Sequence, residues 1–149
     1  MRAIRRKTIA AALLGAVALG WVNASSASAY PIYIRDYLWD SYIFQQTEGF
    51  ESRRWEDGSY SEILFNQCGG GSAVTIQMRM DVNNAPDKGY DNKTFTACYG
   101  TLGQWSQGEW SDLPSTTNNS SEYYFQINDI RGDDEFSAGK VLVDDTAAD

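Results

Sequence analysis

The sequence predicts an all-β protein, a small two-sheet antiparallel β-sandwich of the Ig-like or jelly-roll-like kind with a single disulfide. Over residues 74–82 the apolar side chains fall on every second position, as on a strand with one buried face. Some seven strand-like segments recur at spacings of roughly ten to fifteen residues, and no segment has a convincing helical period. Only two cysteines, Cys68 and Cys98, occur in the 149 residues. A small barrel is the alternative architecture.

The first 29 residues have the three parts of a secretory signal peptide. Four basic residues lie within the first seven, an apolar run covers residues 9–22, and Ala27-Ser28-Ala29 matches the small-residue pattern before a cleavage site. The run is about fourteen residues long, whereas a membrane span needs about twenty. We therefore expect residues 1–29 to be removed and residues 30–149 to form one secreted, extracellular domain without a membrane span.

The remaining segments are assigned in chain order from their alternation and their turn residues. Gly and the Asn- and Asp-rich stretches separate the strands, and the Ser-, Thr- and Asn-rich residues 115–121 read as a linker. Residues 99–114 are rich in Gly and predict a loop with at most one short edge strand. Strands are predicted over residues 32–35, 39–45, 60–66, 74–82, 93–99, 123–128 and 140–143.

Cys68 and Cys98 are predicted to form a structural disulfide, because paired cysteines in an exported chain are normally oxidised. Three consecutive glycines follow Cys68 and allow the chain to turn toward its partner. Closing a loop of this length removes about 3.6 kcal/mol of chain entropy from the unfolded state.

The charge and the missing residue types exclude several kinds of function. Removing the four cations of the signal takes the net charge from −8 to −12, which disfavours binding to nucleic acid or to anionic lipid. The chain has no histidine, so Ser–His–Asp and Cys–His catalysis and His-ligated metals are excluded. Carboxylates alone remain for acid–base chemistry, and we expect a protein that is not an enzyme.

Residues 81–92 form the longest polar stretch and suggest the one cofactor worth testing. Calcium takes six to eight oxygen ligands, and Asp and Asn side chains supply them. The spacing does not match an EF-hand, and Asp and Asn are equally common in solvated turns. We expect no cofactor other than possible calcium, for which the candidate ligands are Asp81, Asn83, Asp87 and Asp91.

Two tryptophans among Gly, Ser and Gln suggest where a ligand would bind. Trp105 and Trp110 occur in a segment whose composition is unlike that of a core. Exposed rings beside hydrogen-bonding side chains are used to bind sugars, although the same rings could fold back over a core edge. The predicted binding residues are Trp105, Trp110, Gln104, Gln107 and Asp112.

These observations predict an acidic, secreted, monomeric binding module for a carbohydrate or a component of the cell envelope. One alternative is a secreted inhibitor or toxin-like effector that acts on a protein through a loop at residues 85–91. Another is a structural surface protein with exposed edge strands. The partner would be an extracellular glycan or protein.

Overall fold

The computed structural model describes residues 37–117 and 121–146. Within them lie seven strands: β1 (Trp39–Gln46), β2 (Ser61–Gly69), β3 (Ala73–Asp81), β4 (Lys88–Phe95), β5 (Trp105–Trp110), β6 (Glu122–Arg131) and β7 (Phe136–Asp144). A single 3-10 turn, Ala97–Tyr99, follows β4. The predicted signal segment and the predicted strand at residues 32–35 fall outside the described ranges. No helix in these ranges is long and apolar enough to cross a membrane.

The strands form two antiparallel sheets that pack face to face, so the predicted β-sandwich is confirmed. Sheet A has the order β1-β7-β2-β5, and sheet B has the order β4-β3-β6. Residues 50–55 run beside β6 and form two isolated bridges with it, Glu51 with Gln126 and Trp55 with Tyr123. This segment therefore fills the place of an eighth strand at the free edge of sheet B.

The strand pairs are nested, as in a hairpin folded over on itself. The pair β3–β4 is innermost, β2–β5 lies outside it, the segment 50–55 with β6 follows, and β1–β7 is outermost. Eight positions nested in this way and divided over two sheets have jelly-roll-like connectivity, one of the two predicted kinds of sandwich.

The inner faces of the two sheets supply the core. Phe65 of β2 lies at its centre, in edge-on contact with the rings of Phe95, Phe125 and Phe136 at centroid distances of 4.8, 5.8 and 5.3 Å. Such pairs contribute about 0.5–1.5 kcal/mol each beyond the burial of their area. Gly108 of β5 lies under the ring of Phe95, where an added Cβ would come within 2.5 Å of the ring tip.

The predicted disulfide is confirmed. It joins Cys68, near the end of β2, to Cys98 in the 3-10 turn after β4, with the two Cα atoms 5.1 Å apart. Cys98 is buried, and its backbone N–H donates to Ser106 Oγ at 2.8 Å. The bridge therefore fixes the innermost hairpin of the nested arrangement to sheet A.

The region between β3 and β4 differs from its prediction. Residues 81–92 were expected to form one long loop, but β4 already begins at Lys88 and the connection is only residues 82–87. The predicted strand at 93–99 is thus shifted, since its last residues form the 3-10 turn. β4 is an edge strand with mostly exposed side chains, so tertiary pairing with β3 outweighs the low strand propensity of its Asp, Asn and Gly residues.

Candidate functional site

Trp105 and Trp110 lie on opposite faces of β5. Ser106, Gly108 and Trp110 are buried on the inner face, so Trp105 belongs to the outer face. The prediction that Trp110 forms an exposed platform with Trp105 is wrong, because Trp110 is only 3% exposed and its Nε1 donates to the carbonyl oxygen of Asp91 at 2.8 Å. Residues five positions apart on a strand always point to opposite sides.

The outer face of sheet A carries the other candidate side chains, although Leu64, Asn66 and Leu142 on this face are buried. In-register pairing orders them in rows across the strands. We call the first the ring row: Lys140, Asn66 and Trp105 pair in register, and Tyr42 extends the row on β1 within the register shift between Ser41 and Ile43. The second contains Asp40, Leu142, Leu64 and Gln107, and the third, the acid row, consists of Asp144, Glu62 and Glu109. Neighbouring rows are two residues apart along the strands, or about 7 Å.

Two exposed aromatic rings on β1 were not predicted as site residues. Tyr42 is 72% exposed and Phe44 65% exposed, and they flank Ile43, whose side chain is buried in the core. Both rings therefore project away from the core on the same side of β1. The signal in the sequence was the unbroken run of large apolar residues Tyr42, Ile43 and Phe44, which does not show which side of the strand is buried.

A cleft of about 110 Å³ opens beside these rings, between β1 and the segment 50–53. Trp39 forms one wall, and the guanidinium carbon of Arg53 lies 4.0 Å from the centre of its ring. Trp39 also packs edge-on against buried Trp55, with the ring centroids 6.0 Å apart. The cleft thus has a rigid aromatic wall and one cationic group.

The acid row concentrates negative charge on three neighbouring strands. Glu62 of β2 lies directly opposite Glu109 of β5 on one side and Asp144 of β7 on the other. Burial, together with the charges of Glu109 and Asp144, raises the pKa of Glu62 to about 7, and a hydrogen bond from Gln107 opposes this shift. At neutral pH Glu62 is therefore protonated about half the time.

Tyr60 lies next to the acid row. It lies directly before β2, two positions from Glu62, and its side chain is only 9% exposed. Its hydroxyl finds no hydrogen-bond partner among the described residues. Burial and the charges of Glu62, Glu109 and Asp144 raise its pKa, which places the hydroxyl within electrostatic reach of all three carboxylates.

The other predicted binding residues are divided between two surfaces. Gln107 lies on the outer face of sheet A and donates to Glu109 Oε1 at 2.7 Å. Gln104 precedes β5, and its backbone oxygen accepts a hydrogen bond from Asn66 at 2.7 Å. Asp112 instead lines a polar cleft of about 150 Å³ between β4 and β5, together with Trp110 and Lys93.

The four candidate calcium ligands are spread along the β3–β4 hairpin. Asp81 accepts a hydrogen bond from Arg54 at 2.7 Å, and Asp87 accepts one from the Tyr124 hydroxyl at 2.5 Å. Asn83 is exposed in the connecting turn, and Asp91 follows Asp87 by four residues, about 13 Å along the strand. In the described ranges no group of three or more Cys, Asp or Glu residues is placed to hold a metal ion. Calcium binding stays a prediction.

A separate buried acid has a structural place. Asp57 is almost fully buried and accepts a hydrogen bond from Ser61, which in turn accepts one from the Trp55 indole at 3.2 Å. The Thr116 hydroxyl donates to the carbonyl oxygen of Asp57, and burial raises the pKa of the Asp57 carboxyl. This network ties residues 55–61 to the segment after β5.

Comparison with known proteins gives no guide to this site. No protein-family model, no curated protein and no solved structure matches the chain. The function must therefore be argued from the geometry of the outer face of sheet A.

Proposed function

We propose that the protein is a secreted, non-enzymatic binding protein and that its ligand is a glycan of an extracellular or cell-envelope polymer. The observation that supports the proposal is the exposure of Tyr42 and Phe44 on one strand of a rigid sheet. Large apolar rings exposed to water are unfavourable, and a ligand with flat apolar faces stabilises them because stacking removes their surface from water. Sugar rings have such faces.

Polar groups on the same surface favour a sugar over a purely apolar ligand. Trp105 lies across the sheet in the ring row, three strand spacings or about 14 Å from Tyr42. Between them lie exposed Lys140 and Asn66, which is only 6% exposed and already donates to Gln104, and exposed Gln107 is in the next row. Rings at both ends with hydrogen-bonding groups between them suit an extended chain of sugars lying across the strands.

The irregular backbone of β1 argues against binding by strand addition. β1 is an edge strand, but its pairing with β7 has two register shifts, and Gln45 has a positive φ of 49°. Bulges of this kind twist an edge away from the straight ladder that an added strand needs. We therefore assign recognition to the side chains of β1, which also weakens the alternative of a structural protein assembled through its edges.

A protein target is the second candidate, because the cleft beside β1 combines Trp39 and Arg53, residue types that dominate protein–protein interfaces. We propose this cleft as the contact surface for a protein target in place of the predicted effector loop at residues 85–91, because residues 88–91 belong to β4. The monomeric state and export stay predictions.

The proposal is tested by replacing the rings. Tyr42→Ala with Phe44→Ala is expected to lower affinity for a β-linked glucan or chitin oligomer at least about tenfold, since each aromatic contact contributes about 0.5–1.5 kcal/mol. The midpoint of unfolding should hardly change, because neither ring is in the core. Isothermal titration calorimetry and urea unfolding are the measurements.

The matched control is Leu102→Ala, which removes the most exposed large apolar side chain outside this face. It should leave binding unchanged. If every glycan tested binds the double mutant as tightly as the wild type, or none binds the wild type, the glycan proposal fails and the protein target takes its place.

A further inference from the structure

The acid row is a concentration of like charge that the fold does not compensate. Glu109, Glu62 and Asp144 occupy directly opposed positions on three adjacent strands, where Cβ atoms are about 5 Å apart. Like charges at such positions destabilise a sheet. None of the three carboxylates forms an ion pair with any of the residues that the structure describes.

The nearby cations are engaged elsewhere. Lys140, on the same face, pairs with Asp40 at 3.8 Å. Lys93, which lines a cleft together with Glu109, lies over the ring of Trp110 at 5.9 Å from its centre. Neither cation neutralises the row.

Tyr60 provides an independent indication of a ligand at the same place. Its hydroxyl is buried within electrostatic reach of the three carboxylates and makes no hydrogen bond to any described residue. A buried hydroxyl without a partner costs about 1–3 kcal/mol, which a bound donor or acceptor would recover. Tyr60 therefore adds an oxygen acceptor beside the middle of the row.

Acceptor oxygens on adjacent strands suit a primary ammonium group. It donates three hydrogen bonds of about 2.8 Å in different directions and does not require the tight shell of oxygens that a divalent metal needs. The described residues contain no group of acids placed for a metal ion, which also favours the ammonium group. Phosphate, sulfate and carboxylate ligands would be repelled.

We propose that the acid row and Tyr60 bind a free amino group of the ligand, so that the preferred ligand is a glycan built of amino sugars with unacetylated amines. The inference rests on the proposed function, because the rings and the acid row share one face. Trp105 and Glu109 are four residues apart on β5, or about 13 Å, so one oligosaccharide can cover the ring row and reach the acid row.

The test compares three oligosaccharides with the same linkage and length: a glucosamine oligomer, an N-acetylglucosamine oligomer and a glucose oligomer. Calorimetry is done at pH 7, where Glu62, with a pKa of about 7, is still partly ionised and the sugar amine is partly protonated. We expect the glucosamine oligomer to bind at least about tenfold more tightly than the other two, as for charge-assisted hydrogen bonds.

Three single substitutions each replace a carboxyl group by an uncharged amide. Glu109→Gln is expected to weaken binding of the glucosamine oligomer about threefold, since Glu109 is exposed, and Glu62→Gln should weaken it about tenfold. Asp129→Asn is the matched control, because it removes the same charge from an exposed position on sheet B. This variant should bind the glucosamine oligomer within about twofold of the wild-type affinity, because a change in net charge alone has an effect of about that size.

Glu62→Gln separates a binding role from a structural one. Neutralising the middle of the row relieves repulsion, so this variant should unfold at a higher urea concentration than the wild type at neutral pH and above, while it binds the amine less tightly. Loss of both stability and affinity would show that Glu62 supports the fold, and the inference would be wrong.

The remaining outcomes distinguish the two proposals. Equal binding of all three oligosaccharides, lost in Tyr42→Ala with Phe44→Ala, supports the glycan function and overturns the amine site. The amine site is also overturned if Asp129→Asn reduces the preference for the amine as much as Glu109→Gln does. Binding would then reflect a general attraction between an acidic protein and a polycation. If no sugar binds but a lysine-rich peptide does so through Glu109 and Glu62, the glycan function and the amino-sugar assignment both fail, and the partner is a protein.

Discussion

Replacement of Trp110 by Ala should be one of the most damaging single changes in the protein. The side chain is 3% exposed and packs with the core between the sheets, and its indole N–H holds the Asp91 carbonyl of β4 at 2.8 Å. Burial and the residual cavity account for about 3–5 kcal/mol in such a change, and the lost hydrogen bond adds about 1 kcal/mol. We expect a loss of about 4–6 kcal/mol, a large part of the 5–15 kcal/mol typical of a domain.

The assay is urea unfolding followed by circular dichroism, with Trp105→Ala as the matched control. Trp105 is only half-buried, on the outer face of the same strand, so its removal should cost about 1–2 kcal/mol. Trp110→Phe keeps most of the buried ring and should cost less than Trp110→Ala, which helps if the alanine variant does not fold. The reasoning is refuted if Trp105→Ala destabilises as much as Trp110→Ala, since the two faces would then have been assigned wrongly.

Three further predictions concern the disulfide, the acid row and calcium. Replacing Cys68 and Cys98 by Ser should lower the free energy of unfolding by about 3.6 kcal/mol, and a loss below about 1 kcal/mol would contradict the entropic account of a bridge between residues 30 positions apart. Because the pKa of Glu62 is raised in the fold, its protonated form contributes stability. This contribution is fully present below about pH 4.5 and is lost as the pH rises through about 7. Glu62→Gln should therefore unfold with a weaker pH dependence between these values, by about 1 kcal/mol after allowance for solvent screening, and an unchanged pH profile in urea titrations would reject this assignment. Millimolar calcium should raise the melting temperature if residues 81–92 bind it, and the absence of a shift would leave them a solvated hairpin.

Local patterning predicted most of the strands because it reports which residues can face a core. The alternation at residues 74–82 and 123–128 predicted strands that the structure has as β3 and β6, and the weaker pattern at 39–45 predicted β1. Edge strands were harder to predict. β4 begins in a stretch of polar turn residues, because an edge strand with solvent on one side needs few apolar side chains.

The candidate site was predicted only in part, since a site depends on which residues share a face. Trp105 and Gln107 were expected together and do lie on one face, but Trp110 was separated from them once residues 105–110 formed a strand. Tyr42 and Phe44 gave no signal of exposure, because Ile43 between them is equally apolar. Only the packing of sheet B against one side of β1 decides which set is buried.

The sequence by itself determined the β class, the strand periodicity and the pairing of the only two cysteines, because each depends on residues close in the chain or on a count. The nested pairing and the acid row were decided only by the tertiary structure. Glu62, Glu109 and Asp144 are separated by 35 residues or more, and they become neighbours because β2 pairs with β5 on one side and β7 on the other in a fixed register. A shift of one residue would turn each side chain to the other face, and that register is selected by the whole core.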